Sequence, residues 1–379
     1  MRVAVLGGGP AGIYFAYLWQ QRHPGDQVVL FEQNPADVTW GFGVAFSDRA
    51  MEFLRADDPE TADLIEAVVE QRANITIDHA GETIVIDGIG FSAVGRLELL
   101  QLLQQRLATT NVDARFNTQI DSPEQLRDFD LVVVADGVNS VVRRAFEGEF
   151  ATSRYYISNK FIWYGTTKRY ETLTQTFVNS KYGCFNAHHY RYSKDMSTFI
   201  AECGRDTWLA NGFDTMPEEK YRGICEEVFA EALDGHPLIS NGSYWRTFPW
   251  IWNEHWSHRQ FVLVGDALHT AHYSIGSGTR LAMEDVIALV RALEDTDCNV
   301  EDGLALYEQR RKPIVEKLVN AAKASADWYE TFDERMKLTG YDFAHDYICR
   351  SGRVDDERLR KMAPRFMTEY ETRQVNKVG

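Results

Sequence analysis

Three carboxylates in this chain stand where an apolar run gives way to glycine or a turn, and that placement suggests chemistry. Residues 261–264 (Phe261, Val262, Leu263, Val264) run into Gly265 and Asp266; residues 131–134 run into Asp136 and Gly137; residues 27–31 end at Glu32. Runs this apolar and β-branched suit strands buried on both faces of a parallel sheet. In open sheets of that kind, ligands bind beyond the carboxyl ends of the strands, where all three acids fall. Beyond Asp266 comes the turn Gly276-Ser277-Gly278-Thr279, then Leu281, Val286, Leu289, Val290 and Leu293 at helical spacing. The free N–H groups and positive dipole end of that helix would face a polar, partly anionic ligand.

A matching arrangement stands at the other end of the chain. A short strand over 2–6 leads into Gly7, Gly9, Pro10, Ala11 and Gly12, and then a helix over 13–21. The spacing Gly7-x-Gly9-x-x-Gly12 serves a tight turn, a close approach of backbone to a pyrophosphate, and close packing of helix on strand. Glu32 follows Gly12 by twenty residues, where an acid meets ribose hydroxyls. A bound dinucleotide is expected.

The elements that must hold these groups can be read in outline. Residues 39–48 are rich in glycine and aromatics, and either pack as a loop or lie against a flat ring, with Gly41 and Gly43 allowing close approach. A helix is expected over 59–72 and a β-hairpin over 75–86. Arg96 opens a helix over 95–107, where the dipole does not favour a cation; an anionic pyrophosphate would explain it, as would simple solvation. Between 154 and 252 the alternation predicts an aromatic-rich antiparallel sheet, one face of which offers Trp163, His188, His189 and Tyr190 to a pocket, to solvent or to packing. The last third is helical, with Pro313 kinking or dividing the helix over 307–332. The arginines of 348–379, among them Arg350, Arg353 and Arg358, read as a solvated surface helix.

Composition sets further bounds. The chain has 379 residues, 44% of them hydrophobic, and a net charge of −16, which argues against nucleic acid and anionic membranes as partners. No secretory signal or membrane-spanning run is visible. Five widely spaced cysteines without a Cys-x-x-Cys pair indicate neither a disulfide framework nor a metal site. A cytoplasmic enzyme is the expectation.

Taken together, Gly7-x-Gly9-x-x-Gly12 with Glu32, Asp136-Gly137 with Ser140 and Arg143, and Gly265-Asp266-Ala267 with His269 resemble the single-component (class A) flavoprotein aromatic hydroxylases. Residues 41–48, 163–168, 197–200 and 269–279 are similar to the salicylyl-CoA 5-hydroxylase and anthraniloyl-CoA monooxygenase group, and to the violacein-pathway hydroxylase. His272-Tyr273 stands where the wider family often has paired prolines.

The resemblance implies an α/β fold: a Rossmann-like FAD-binding domain (1–74, 96–150, 256–330), a substrate domain built from a hairpin (75–95) and an inserted antiparallel sheet (151–255), and a C-terminal helical segment (331–379). FAD would be held by Gly7, Gly9, Pro10, Ala11, Gly12, Glu32, Gly43, Arg96, Asp136, Asp266, Gly276, Gly278 and Thr279. NADH or NADPH would reduce it without a Rossmann domain of its own. Reduced FAD and O2 would give a C4a-hydroperoxide that hydroxylates an aromatic ring para to a hydroxyl or amino group. No reductase half is expected in a chain of this length. His188, His189, His269, His272 and Tyr273 are candidates for proton handling, and Trp163 and Tyr190 for the ring. The substrate is expected to be an aromatic acyl-CoA thioester, its phosphates met by Lys168 and Arg169. Carrier-free aromatic or indolic substrates, a non-hydroxylating reductase or oxidase, and a flavin-binding regulatory module are the alternatives.

Overall fold

The computed structural model describes residues 1–47, 50–338 and 340–378; Asp48, at the end of the glycine-rich loop, and Gly379 lie outside the described residues. Strands Arg2–Leu6, Gln27–Phe31, Leu131–Val134 and Phe261–Leu263, apolar along nearly their whole length, occupy the middle of one six-stranded sheet. They pair in parallel, in the order Phe261–Leu263, Leu131–Val134, Arg2–Leu6, Gln27–Phe31. Both faces are covered, which is why these strands carry no polar alternation. The helix Pro10–Arg22 is buried nearly all round, packed between Arg96–Leu107 and Gly278–Glu294. That closeness needs Gly12, whose added Cβ would meet the Gly7 carbonyl oxygen at 1.9 Å. Gly7 itself has φ +107°, and a Cβ there would lie 2.3 Å from the Ala135 oxygen.

A second sheet contains Leu238–Ile239, Thr152–Thr166, Ser197–Cys203, Gly183–Arg191, Leu173–Ser180, Ile75–His79 and Glu82–Ile86, in that order, with Arg246–Asn253 also pairing Thr152–Thr166. It is antiparallel except where Leu173–Ser180 meets Ile75–His79. Tyr164, Phe185, Phe199 and Ala201 point to one face, where Tyr221, Cys225 and Phe229 close a core. The register aligns Trp163 with Ile200 and Ile200 with His188, on the opposite face. Neighbouring residues of a strand point to opposite faces, so His188 and His189 cannot share one. His189 belongs to the core side, with Nε2 2.9 Å from Thr176 Oγ1 and its ring stacked 5.1 Å from Phe199, and this corrects the expectation that it faces the pocket.

Other differences from expectation have local causes. The helix over 59–72 stops at Glu66, and Glu70–Arg72 pairs as a strand, where Glu70 receives both Arg72 and Arg191. Phe91–Gly95 leaves the hairpin's sheet and pairs with Gly43–Ser47 and Glu70–Arg72. The helix Val300–Tyr329 runs through Pro313 without dividing. Helices Gly340–Cys349, Asp356–Met362 and Pro364–Val378 bury Phe343, Tyr347, Leu359 and Phe366 against Phe177, Trp328 and the hairpin. They close one end of the second sheet and are solvated only on their outer side. Among the described residues no helix is long and apolar enough to cross a membrane.

One buried ionic group ties the strand Phe261–Leu263 to the helix after it. Asp285, fully buried, accepts from His269 Nε2 at 2.9 Å, Arg311 Nε at 2.9 Å and Gly265 N at 3.2 Å. Arg311 also holds Glu284 at 2.8 Å. Burial pushes the Asp285 carboxyl up, but His269 and Arg311 outweigh it and hold the group below its ordinary value. Its stabilisation is therefore complete above the ordinary carboxylate range and is lost as pH falls through the depressed value. Arg311→Met should cost about 3–5 kcal/mol in urea denaturation, because buried charge is left without its cation. The part of the acid-side loss of stability that Asp285 contributes should also be smaller than in the wild type, because its carboxyl is then less depressed.

Candidate cofactor and substrate site

The cleft at the carboxyl ends of the parallel strands is lined by Gly8, Gly9, Pro10, Glu32, Asn34, Trp40, Arg96, Leu99, Gln104, Phe116 and Thr279. Two helix N-termini open there. Pro10–Arg22 starts from Gly9 and Gly278–Glu294 from Ser277, and neither has a side-chain cap, so their first N–H groups remain available. A Cβ added to Gly9 or to Gly278 would meet nothing within 4 Å. The space in front of both turns is therefore open, whereas Gly7 and Gly12 are required by the protein's own packing.

Of the charged groups round this cleft, Glu32 is held by the protein, whereas Asp136, Asp266 and Arg96 are incompletely satisfied among the described residues. Glu32 is braced by Gly8 N at 2.6 Å and by the Asn34 N and Nδ2 at 2.7 Å, which fixes its carboxylate at the strand end. Asp136 takes Val141 N at 2.8 Å on one oxygen, while its buried Oδ1 has no partner. Asp266 makes no side-chain hydrogen bond among the described residues and is exposed. Enclosure by the surrounding protein raises its carboxyl, and His269, Arg96 and Arg143 act against that rise. Arg96 is half-buried, lies 5.7 Å over the Trp163 ring, and has no acid within ion-pair distance among the described residues. Burial pushes its guanidinium down, with Asp266 opposing. Unpaired N–H groups, a cation without an anion and free acceptor oxygens are the complement of a dinucleotide's phosphates and hydroxyls, so the residues present fit FAD. Arg143, by contrast, is structural: it donates to Ala267 O at 2.9 Å and joins the two Asp-bearing turns.

The loop after Glu32 connects this cleft to the second sheet. Gly41 packs on Trp163 and Arg96, and a Cβ on Gly165 would meet the Phe42 ring at 2.5 Å. Gly43 N donates to Thr198 Oγ1 at 2.8 Å, and Tyr190 Oη donates to Gly43 O at 3.0 Å. Gly43 is needed because a Cβ there would strike Tyr192 at 2.6 Å. Gly276, at φ +57°, turns the chain beside Ala45 just before the helix.

Facing the loop, the sheet presents Phe161, Trp163, His188, Tyr190, Ile200 and Glu202. Tyr273 reaches into this face: its ring lies 4.8 Å from Phe161 and 5.3 Å from His188, and its hydroxyl donates to Glu202 Oε2 at 2.6 Å. Burial raises the Glu202 carboxyl to about 7, against the hydrogen bonds from Tyr273 and from Asn159 at 2.8 Å. His188 and His272 are both held down at about 3 by burial, so their rings are neutral; His188 has no hydrogen-bond partner among the described residues. His269 is separate from this group, committed to Asp285.

Lys168 and Arg169, expected on a basic rim, are each neutralised, by Asp234 and Asp195 at 2.6 Å. Arg246 escaped the sequence reading. Its guanidinium lies 5.9 Å over Phe161 and 4.3 Å over Tyr244 and has no acidic partner among the described residues. Glu202 escaped it too, although a lone acid in the otherwise uncharged strand Ser197–Cys203 was a visible signal. Arg96→Met should weaken FAD binding by about 1.5–3 kcal/mol, the value of a charge-assisted hydrogen bond, as read by flavin-fluorescence titration of the apoprotein. Unchanged affinity would return Arg96 to a purely structural role against Trp163.

Comparison with known proteins agrees with this arrangement. The family described as "FAD binding domain" matches residues 98–322. The chain is 40% identical over 361 residues to a salicyloyl-CoA 5-hydroxylase of a Streptomyces species, covering 93% of this chain and 70% of that protein. It is 31% identical over 360 residues to the protodeoxyviolaceinate monooxygenase of Chromobacterium violaceum, covering 92% and 94%. The fold matches the crystal structure of a 2-methyl-3-hydroxypyridine-5-carboxylic acid oxygenase mutant with a TM-score of 0.74 at 18% identity, over 95% of each chain. The strand-end acids, the paired helix N-termini and the aromatic sheet above them thus coincide with sequence kinship, and the chain belongs to the FAD-dependent aromatic monooxygenases of the class A hydroxylase family.

Proposed function

We propose that this enzyme uses NADH or NADPH and O2 to hydroxylate an aromatic acyl-CoA thioester of the salicyloyl type, para to its hydroxyl or amino group. The balance is ring C–H, NAD(P)H, a proton and O2 going to ring C–OH, NAD(P)+ and water. The observation that carries the reading is the aromatic sheet face opposite the cofactor cleft, with Arg246 beside it, which has no acidic partner among the described residues, and a salicyloyl-CoA 5-hydroxylase relative at 40% identity behind it. Bound FAD would supply the two-electron reduction of O2 and the electrophilic oxygen. The parallel-sheet unit would hold it, with Gly9, Glu32, Arg96, Asp136, Asp266 and the Gly278–Thr279 turn as its contacts, and the second sheet would cover the substrate.

The side chains then have distinct tasks. Phe161, Trp163 and Tyr190 position a flat ring and exclude water. The Tyr273 hydroxyl, already donating to Glu202, can accept the proton of a substrate phenol and pass its own to the carboxylate. Arg246 replaces Lys168 and Arg169 as the cation offered to the phosphates of the tail.

Substrate-dependent NAD(P)H oxidation with salicyloyl-CoA, free salicylate and indolic acids tests the assignment. Salicyloyl-CoA should stimulate oxidation and be hydroxylated, and Arg246→Ala should raise its KM roughly ten-fold, with kcat little changed, the loss of one charge-assisted contact. Stimulation by a free acid or indole alone would replace the thioester with a carrier-free substrate, the type suggested by the violacein-pathway relative. Glu202 gives a second test. Its carboxylate accepts protons only above its raised value, so kcat should climb with pH through about 7. Glu202→Gln should be slow and lack that limb; an unchanged pH profile would remove Glu202 from the proton path.

A further inference from the structure

Three side chains able to ligate a metal converge on the C-terminal helices, outside the groups described so far. His345 and Cys349 stand one turn apart on the helix Gly340–Cys349, so they share a face. Asp356 is the first residue of the next helix, Asp356–Met362. A ring nitrogen, a thiol sulfur and a carboxylate oxygen, one from each residue, all lie within 4.8 Å of one another. All three residues are partly exposed, so an ion can reach them from solvent.

Two of these partners compete for one atom. His345 Nε2 is 2.8 Å from Asp356 Oδ1 and 3.9 Å from Cys349 Sγ. A ring nitrogen carries one in-plane lone pair or one hydrogen, so it serves one of the two in full and not both. A cation seated among the three groups answers all of them. In a tetrahedral zinc site, bond lengths of about 2.0 and 2.3 Å place nitrogen about 3.3 Å from oxygen and about 3.6 Å from sulfur. Both observed separations lie within an ångström of those values. Asp356, whose side chain is 52% exposed, has room to make the adjustment.

The surroundings suit a cation. The His345 ring is stacked on Tyr370 at 4.2 Å with the planes 3° apart, which fixes the direction of Nε2. Two further acids add negative charge while bound elsewhere. Asp346 accepts from Trp328 Nε1 at 2.7 Å, and Asp355 caps its helix at Arg358 N, 2.8 Å away. Burial, followed by Asp356, Asp346 and Asp355, holds the Cys349 thiol up to about 11. The same negative field attracts a cation, which displaces the thiol proton to solvent as it binds. Thiolate and imidazole select a metal of the zinc type over magnesium or calcium. Cysteine spacing in the chain misses the cluster because it holds one cysteine and is completed by an acid seven residues on.

We propose that His345, Cys349 and Asp356 form a zinc-type site, with water as its fourth ligand, that clamps the turn between these two helices. The site is independent of the substrate proposed above.

The test uses FAD holoenzyme dialysed against a chelator and then titrated with Zn2+, and separately with Co2+, read in the red where flavin is transparent. The wild type should take up one Zn2+ per chain with micromolar or tighter affinity. It should show the intense visible bands of four-coordinate Co2+ and gain thermal stability with Zn2+. Cys349→Ser and His345→Gln should each weaken Zn2+ by at least roughly a hundred-fold, beyond the loss typical of groups that only support a ligand, and should abolish the stabilisation with FAD content unchanged. Asp356→Asn, a change at an exposed side chain, should weaken Zn2+ about ten-fold and carries the test if the other variants do not fold. No saturable Zn2+ uptake by the wild type overturns the site. Equal uptake by the wild type and the variants also overturns it, as an adventitious ion only. The weak bands of six-coordinate Co2+ overturn the assigned ligand set.

Discussion

The structure depends on keeping two helix N-termini uncapped on one cleft. An uncapped helix end leaves several N–H groups wanting acceptors, and a second one on the same cleft compounds the need. Here Gly9 and Ser277 precede those ends and contribute no side-chain cap. The surrounding architecture secures this arrangement by close packing. Gly12 lets the first helix lie against the Gly7 turn, and Gly265, at φ +58°, brings its turn to within 3.1 Å of Ala282 and 3.7 Å of Ala11, measured from an added Cβ. The Asp285 group then fastens the second helix to the strand before it. Its charges are buried for anchorage, whereas those of Arg96, Asp136 and Asp266 are left incompletely paired for a ligand. That contrast separates structure from site more clearly than residue type does.

The second sheet obeys the same logic with aromatic groups. One face is an ordinary core of Phe185, Phe199 and Phe229. The other carries large rings interrupted by polar groups, Asn186, His188 and Glu202, and Tyr273 and Asn159 hydrogen-bond to Glu202. Burial keeps the histidines neutral and makes Glu202 a reluctant carboxylate. Under the function proposed above, a face of this character would receive an electron-rich ring and take one proton from it. The C-terminal helices belong to this design, since they supply Arg350 to the interior and cover Phe177.

Much of the cofactor side was determined by the sequence itself. The run of apolar residues in 2–6, 131–134 and 261–264 can be satisfied only by strands covered on both faces, and the glycine spacing admits few ligands other than a nucleotide. Those are local constraints, carried by contiguous residues. The substrate side could not be read that way. Period-two alternation by itself separates His188 from His189, yet which of them faces the pocket follows from the pairing register with Ile200 and Phe199. Lys168 and Arg169 look available in the chain and are neutralised by Asp234 and Asp195, while Arg246, unremarkable in sequence, has no acidic partner among the described residues. His269 and His272 stand three residues apart with different partners, one bound to Asp285 and the other hydrogen-bonded to Ser274, whose hydroxyl meets that of Ser325. Charge compensation and hydrogen bonding depend on partners distant in the chain, Ser325 and Arg350 among them, and only tertiary packing brings those partners together.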